Sequence, residues 1–126
     1  RGTGTILLID DEKMILDVGC ELLEELGYTV LSALSGQEAL QIFQENSTKI
    51  DLVIMDMIMP GMSGGEAFDR LRNINQDIKV LLSSGYSLNG QATQILRRGC
   101  DGFIQKPFNL NQLAEKIGSI IGSAKG

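Results

Sequence analysis

The chain has 126 residues, enough for one compact domain around one core. Apolar residues make up 43%, which argues against disorder, and runs such as Ile6 to Ile9 are far too short to span a membrane. The net charge of -5 argues against direct nucleic-acid binding, which needs clustered Lys and Arg. The absence of His excludes Ser-His-Asp and Cys-His catalysis within the chain.

Strand-like and helix-like segments alternate from the start. "TILLID", Thr5 to Asp10, is the continuous apolar run expected of a strand covered on both faces. Ile15, Val18, Leu22 and Leu26 follow at helical spacing as a buried face, and Gly27 closes that helix. "YTVLSA", Tyr28 to Ala33, reads as the second strand. Ser35 and Glu38 match a capping box ahead of Ala39, Leu40 and Phe43. "DLVIMD", Asp51 to Asp56, is the third strand. A loop with Pro60 and Gly61 leads to a helix with Ala67, Phe68 and Leu71 inward. "KVLLSS", Lys79 to Ser84, is the fourth strand. Ala92, Ile95 and Leu96 mark a helix closed by Gly99, and "GFIQ", Gly102 to Gln105, is a short fifth strand. Asn109 with Gln112 caps a last helix that buries Leu110, Leu113, Ile117 and Ile120.

Arg97 and Arg98, the one adjacent basic pair, read as a helix end stabilised by its dipole. Cys20 and Cys100 form no CxxC and read as two buried free thiols in a reducing compartment. The absence of His, with only two Cys, argues against a zinc site, and no GxxxxGK[ST] loop offers a phosphate cradle. No basic segment followed by an apolar one opens the sequence, so no secretory signal is expected.

Five strands alternating with five helices imply an α/β domain with a parallel sheet and right-handed crossovers. The order 2-1-3-4-5 fits this length, with ligand at the carboxyl ends of the strands beside the switch between strands 1 and 3. Those ends carry Asp10, Asp11 and Glu12 after strand 1, and Asp56 after strand 3. Ser83 and Ser84 end strand 4, and Lys106 and Pro107 follow strand 5. Three neighbouring carboxylates repel, so a proton or a cation is required. A hard divalent ion with oxygen ligands is the natural solution, and Mg²⁺ is the common one. Taken singly, each residue has an ordinary reading: acidic residues at a helix start, a turn hydroxyl, a solvated lysine. Together those readings require five coincidences at one end of one sheet.

"ILLIDDE", "VIMDMIMPGMSG", "VLLSSGYS" and "FIQKPF" resemble the receiver domain of two-component response regulators, over nearly the whole chain. The resemblance implies a flavodoxin-like doubly wound fold and a single receiver domain over 1–126, with its core at about 5–121. It implies Asp56 as phosphoacceptor, taking a phosphoryl group from a histidine kinase or a histidine phosphotransfer domain. Asp10, Asp11, Asp56 and the backbone carbonyl of Ile58 would bind Mg²⁺. Lys106 would contact the phosphoryl group, Ser84 and Phe103 would switch, and the peptide before Pro107 would be cis. Output would pass to a domain or protein through the last two strand–helix units, in the cytoplasm. Such a domain catalyses only its own phosphorylation and slow dephosphorylation. Ile58 and Tyr86 would flank the path of the hydrolytic water. The opening "GTGTILLIDDE" is similar to that of receivers fused to hybrid sensor kinases, with a stand-alone receiver as the alternative. A haloacid-dehalogenase-type phosphatase also uses Asp and Mg²⁺, but needs a DxD motif on its first strand, where this chain has adjacent carboxylates. A third reading is a binding module without phosphorylation, against which the complete residue set argues.

Overall fold

The computed structural model describes residues 4–85 and 90–122. Five strands, β1 (Thr5–Ile9), β2 (Thr29–Ala33), β3 (Leu52–Asp56), β4 (Lys79–Ser84) and β5 (Gly102–Gln105), form one parallel sheet. Its order is β2-β1-β3-β4-β5, as the sequence led us to expect. The helices are α1 (Lys13–Glu25), α2 (Gly36–Asn46), α3 (Gly64–Ile74), α4 (Gly90–Arg97) and α5 (Leu110–Ile117). A π-helical turn over Gly118–Gly122 follows α5. Among the described residues, no helix is long and apolar enough to cross a membrane.

The unbroken apolar strands follow from burial on both faces. Leu7, Ile9, Val53, Met55, Val80 and Leu82 pack one way, against Phe43 of α2, Phe68 and Leu71 of α3 and Ile95 of α4. Ile6, Leu8, Leu52, Ile54, Leu81 and Ile104 point the other way, against Leu16 and Leu23 of α1 and Leu113 and Ile117 of α5. Every residue of β3 is buried, so the strand that ends in Asp56 is clamped on both faces and along both edges.

Helix ends are set locally. Gly27 and Gly99 take φ of +103° and +110°, conformations that side chains with a Cβ rarely adopt. At α1, Gly27 N–H donates to Glu24 and Tyr28 N–H to Leu23; at α4, Gly99 N–H donates to Leu96 and Cys100 N–H to Ile95. These pairs satisfy carbonyls that a helix end leaves over. Asn109 and Gln112 form a reciprocal capping box at α5. At α2 the expected box is only half formed. Ser35 accepts the Glu38 amide, but the Glu38 carboxylate reaches back one residue further, to the amide of Leu34.

Three further expectations need correcting. The buried stripe of α1 is Leu16, Gly19 and Leu23, whereas Ile15 and Val18 are 38% and 55% exposed. Both stripes are apolar at helical spacing. The stripe that rests on β1 carries Gly19, where a Cβ would meet Leu8 Cδ2 at 2.7 Å. Cys20 is only half-buried; burial and the Glu24 charge raise its pKa. Cys100 is buried, with its thiol against the Val80 carbonyl. Arg98 reaches across to α3 and pairs with Asp69 at 3.3 Å, rather than serving only its own helix end.

Candidate functional site

Parallel strands put all their carboxyl ends on one edge, and four of the five contribute to the site. Asp10 follows β1 and is 3% exposed; Asp56 ends β3 and is 9% exposed. The adjacent Asp11 is exposed, and the carboxylates of Asp10, Asp11 and Asp56 offer oxygens that all lie within 4.8 Å of one another. Lys106, just beyond β5, places its ammonium 2.9 Å from Asp10 Oδ2 and 3.5 Å from Asp56 Oδ1. Its backbone amide donates to the Ser84 carbonyl at 2.7 Å, which ties the segment after β5 to the end of β4. The Lys106–Pro107 peptide is cis.

Backbone groups complete the arrangement. Asp10 Oδ1 accepts the Glu12 amide at 2.9 Å, which holds the carboxylate at the mouth of α1. The backbone N–H of Ile58 favours the ionised form of Asp56. Burial pushes the Asp56 carboxyl above its ordinary pKa; the Lys106 charge opposes the rise and the Asp10 charge adds to it. Burial pulls the Lys106 ammonium down, but its hydrogen bond to Asp10 and the charges of Asp56 and Asp10 outweigh that and hold it above its ordinary value. A cluster of three carboxylates against one ammonium leaves negative charge uncompensated. An all-oxygen donor set of this charge suits a hard divalent cation.

Ser84 is buried at the end of β4 and lines the same cleft as Asp56 and Lys106. Ile58 is 55% exposed at its rim. Phe103 stands apart from the cleft, partly buried on β5 opposite Leu82 and packed on the α2–α3–α4 side of the sheet. Tyr86 lies outside the described residues.

Sequence reasoning missed the approach to this site. The cleft, of about 790 Å³, extends from Asp56 along the outer stripe of α1. Met14, Ile15 and Val18 line it on one side, and Pro107 and Phe108 on another. Four of the five large apolar side chains most exposed among the described residues (Met14, Ile15, Val18 and Ile58) are gathered here. A second apolar stripe on α1 is the available signal, but helical spacing alone does not say which stripe faces the sheet.

The family model for the response regulator receiver domain matches residues 6–118. The chain is 39% identical over 116 residues to the sensor kinase CckA of Brucella abortus, covering 92% of this chain and 12% of that protein. It is 37% identical over 114 residues to the transcriptional regulatory protein YvrH of Bacillus subtilis, covering 90% of this chain and 47% of that one. The chain thus spans half or less of these two relatives. Among solved structures, a receiver domain protein from Clostridium thermocellum superposes with a TM-score of 0.91 at 35% identity, over 97% of each chain.

Proposed function

This chain belongs to the response regulator receiver domain family of two-component signalling, and on that premise we propose that Asp56 is its phosphoacceptor and that Mg²⁺ is its cofactor. The observation that carries the reading is the convergence of Asp10, Asp11, Asp56 and Lys106 at the carboxyl edge of the sheet. Asp10, Asp11, Asp56 and the Ile58 carbonyl would hold the ion. When bound, the ion neutralises charge on the transferring phosphoryl group.

The chain's own residues do the rest. An Asp56 oxygen forms the new O–P bond while the N–P bond of a donor phosphohistidine breaks and its electron pair stays on the imidazole nitrogen. The Ile58 amide and the rigid end of β3 fix the attacking carboxylate, since positioning supplies much of such a barrier reduction. Lys106 moves its charge from Asp10 and Asp56 toward the phosphoryl oxygens, and the Ser84 hydroxyl follows as a switch coupled to Phe103. The donor, a histidine kinase or histidine phosphotransfer domain, would rest on the apolar stripe of Met14, Ile15 and Val18, which leads directly to Asp56. Output would pass through β4–α4 and β5–α5. We assign the chain as a single receiver domain with its core at about 5–121, and similarity to a sensor kinase favours a hybrid kinase as its wider setting. Nothing in the arrangement favours a haloacid-dehalogenase-type phosphatase, because the carboxylates after β1 are adjacent and Asp56 ends β3.

Incubation with acetyl phosphate and Mg²⁺ followed by intact-mass measurement tests the reading. One phosphoryl group is expected, lost with chelator and lost in Asp56→Asn. Equal labelling of that variant would overturn it.

A further inference from the structure

Gly64 opens α3, and its backbone lies outside the left-handed region, so conformational freedom does not explain a glycine there. Space does. A Cβ at Gly64 would lie 2.8 Å from the Met57 carbonyl oxygen and 2.9 Å from Met57 Cα. Both are backbone atoms, which cannot yield by turning a rotamer. Met57 is held from the far side as well, because its amide donates to the Ser83 carbonyl at 2.9 Å.

Met57 is therefore gripped through both its N–H and its carbonyl, which accepts the Gly64 amide at 2.9 Å. The next backbone N–H, that of Ile58, favours the ionised form of Asp56. A displaced Met57–Ile58 peptide misdirects that N–H and the end of β3 together.

We propose that Gly64 is a positioning residue for the Asp56 site. The approach that only a residue without Cβ permits sets the Met57–Ile58 peptide, and through it the Asp56 carboxylate and the Ile58 backbone. Part of the test rests on the cation reading above, and part is independent of it.

Gly64→Ala is compared with Gly102→Ala, where a Cβ would meet only the side-chain ends of Ile120 and Leu81, at 3.2 and 3.3 Å. In metal-free protein, the Ile58 amide resonance moves in Gly64→Ala and stays in Gly102→Ala. The Mg²⁺ dissociation constant rises about tenfold in Gly64→Ala, the scale seen when groups supporting metal ligands are altered, and stays within about twofold in Gly102→Ala. Should Gly64→Ala fail to fold, Mg²⁺ titration of the unaltered protein decides: the Gly64 amide moves in step with that of Ile58. An unmoved Ile58 amide in Gly64→Ala, or a stationary Gly64 amide in that titration, overturns the proposal. If the unaltered protein binds no Mg²⁺, the cation reading fails, and the metal-free Ile58 shift alone decides the role of Gly64.

Discussion

Replacing Lys106 with Met keeps the apolar stem and removes the charge set against the carboxylates. The side chains of Lys106, Asp10 and Asp56 are 14%, 5% and 12% exposed, so this ion triad is largely buried. Removing one partner of a buried pair costs about 3–5 kcal/mol, because the charge left behind is uncompensated. Protonation of a carboxyl limits the loss, which points to the lower end, about 3 kcal/mol. At about 4 °C per kcal/mol for a domain of this size, Tm falls by roughly 12 °C near neutral pH without Mg²⁺.

The sign of the pH dependence follows from Asp56. Its folded pKa already lies above the ordinary value, and loss of Lys106 raises it further. A carboxyl that binds its proton more tightly when folded takes stability away as pH rises through the window between its unfolded and folded values. The Lys106→Met deficit is therefore largest near neutral pH and shrinks toward the unfolded carboxylate value of about 4. Calorimetry at both ends of that range, in chelator, checks this. A Tm within about 2 °C of the unaltered protein at neutral pH, or an equal deficit at both ends, would refute the reasoning.

Three further outcomes are expected. Ile15→Asp with Val18→Asp slows transfer from a phosphohistidine-bearing domain by about tenfold, or 1.4 kcal/mol, while labelling by acetyl phosphate is unchanged; parallel loss of both rates would contradict a docking role. Beryllofluoride with Mg²⁺ shifts the amides around Ser84, Phe103 and α5, and identical spectra with and without it would remove the proposed switch. Ile58→Asn with Tyr86→Ala speeds loss of the phosphoryl group by roughly tenfold, read as decay after donor removal, because Ile58 has no group to orient a water and a tyrosine ring is bulky enough to cover an in-line approach; slower or unchanged decay would sink that idea.

The fold was legible because burial on both faces writes unbroken apolar strands, and because Gly27 and Gly99 sit where helix ends need positive φ. Once the sheet is parallel, carboxylates that close different strands must share one edge, so Asp10, Asp11 and Asp56 could be grouped from sequence. The facing of α1 could not. Ile15 and Val18 lie on one apolar stripe and Leu16 and Leu23 on the next, and the stripe that rests on the sheet is the one that carries Gly19, close to Leu8. Contacts between distant elements were equally hidden. Arg72 donates to the carbonyls of Ile78 and Gly99 and to Asp101, and its guanidinium lies 4.8 Å from the Phe68 ring centre. Asp101 in turn accepts the Val80 amide at 2.8 Å. These ties join α3, β4 and the segment before β5, and no local pattern announces them. The same holds for the crowding at Gly64, which depends on where the loop after Asp56 returns.

The central claim is that the phosphoryl group resides on the carboxylate that ends β3. Borohydride reduces an acyl phosphate to the alcohol, so a phosphorylated aspartate becomes homoserine. Protein treated with acetyl phosphate and Mg²⁺, then reduced and sequenced as peptides, is predicted to carry homoserine at position 56 and nowhere else. Homoserine at position 10 or 11, or an unmodified Asp56 in protein that has gained phosphoryl mass, would contradict the account.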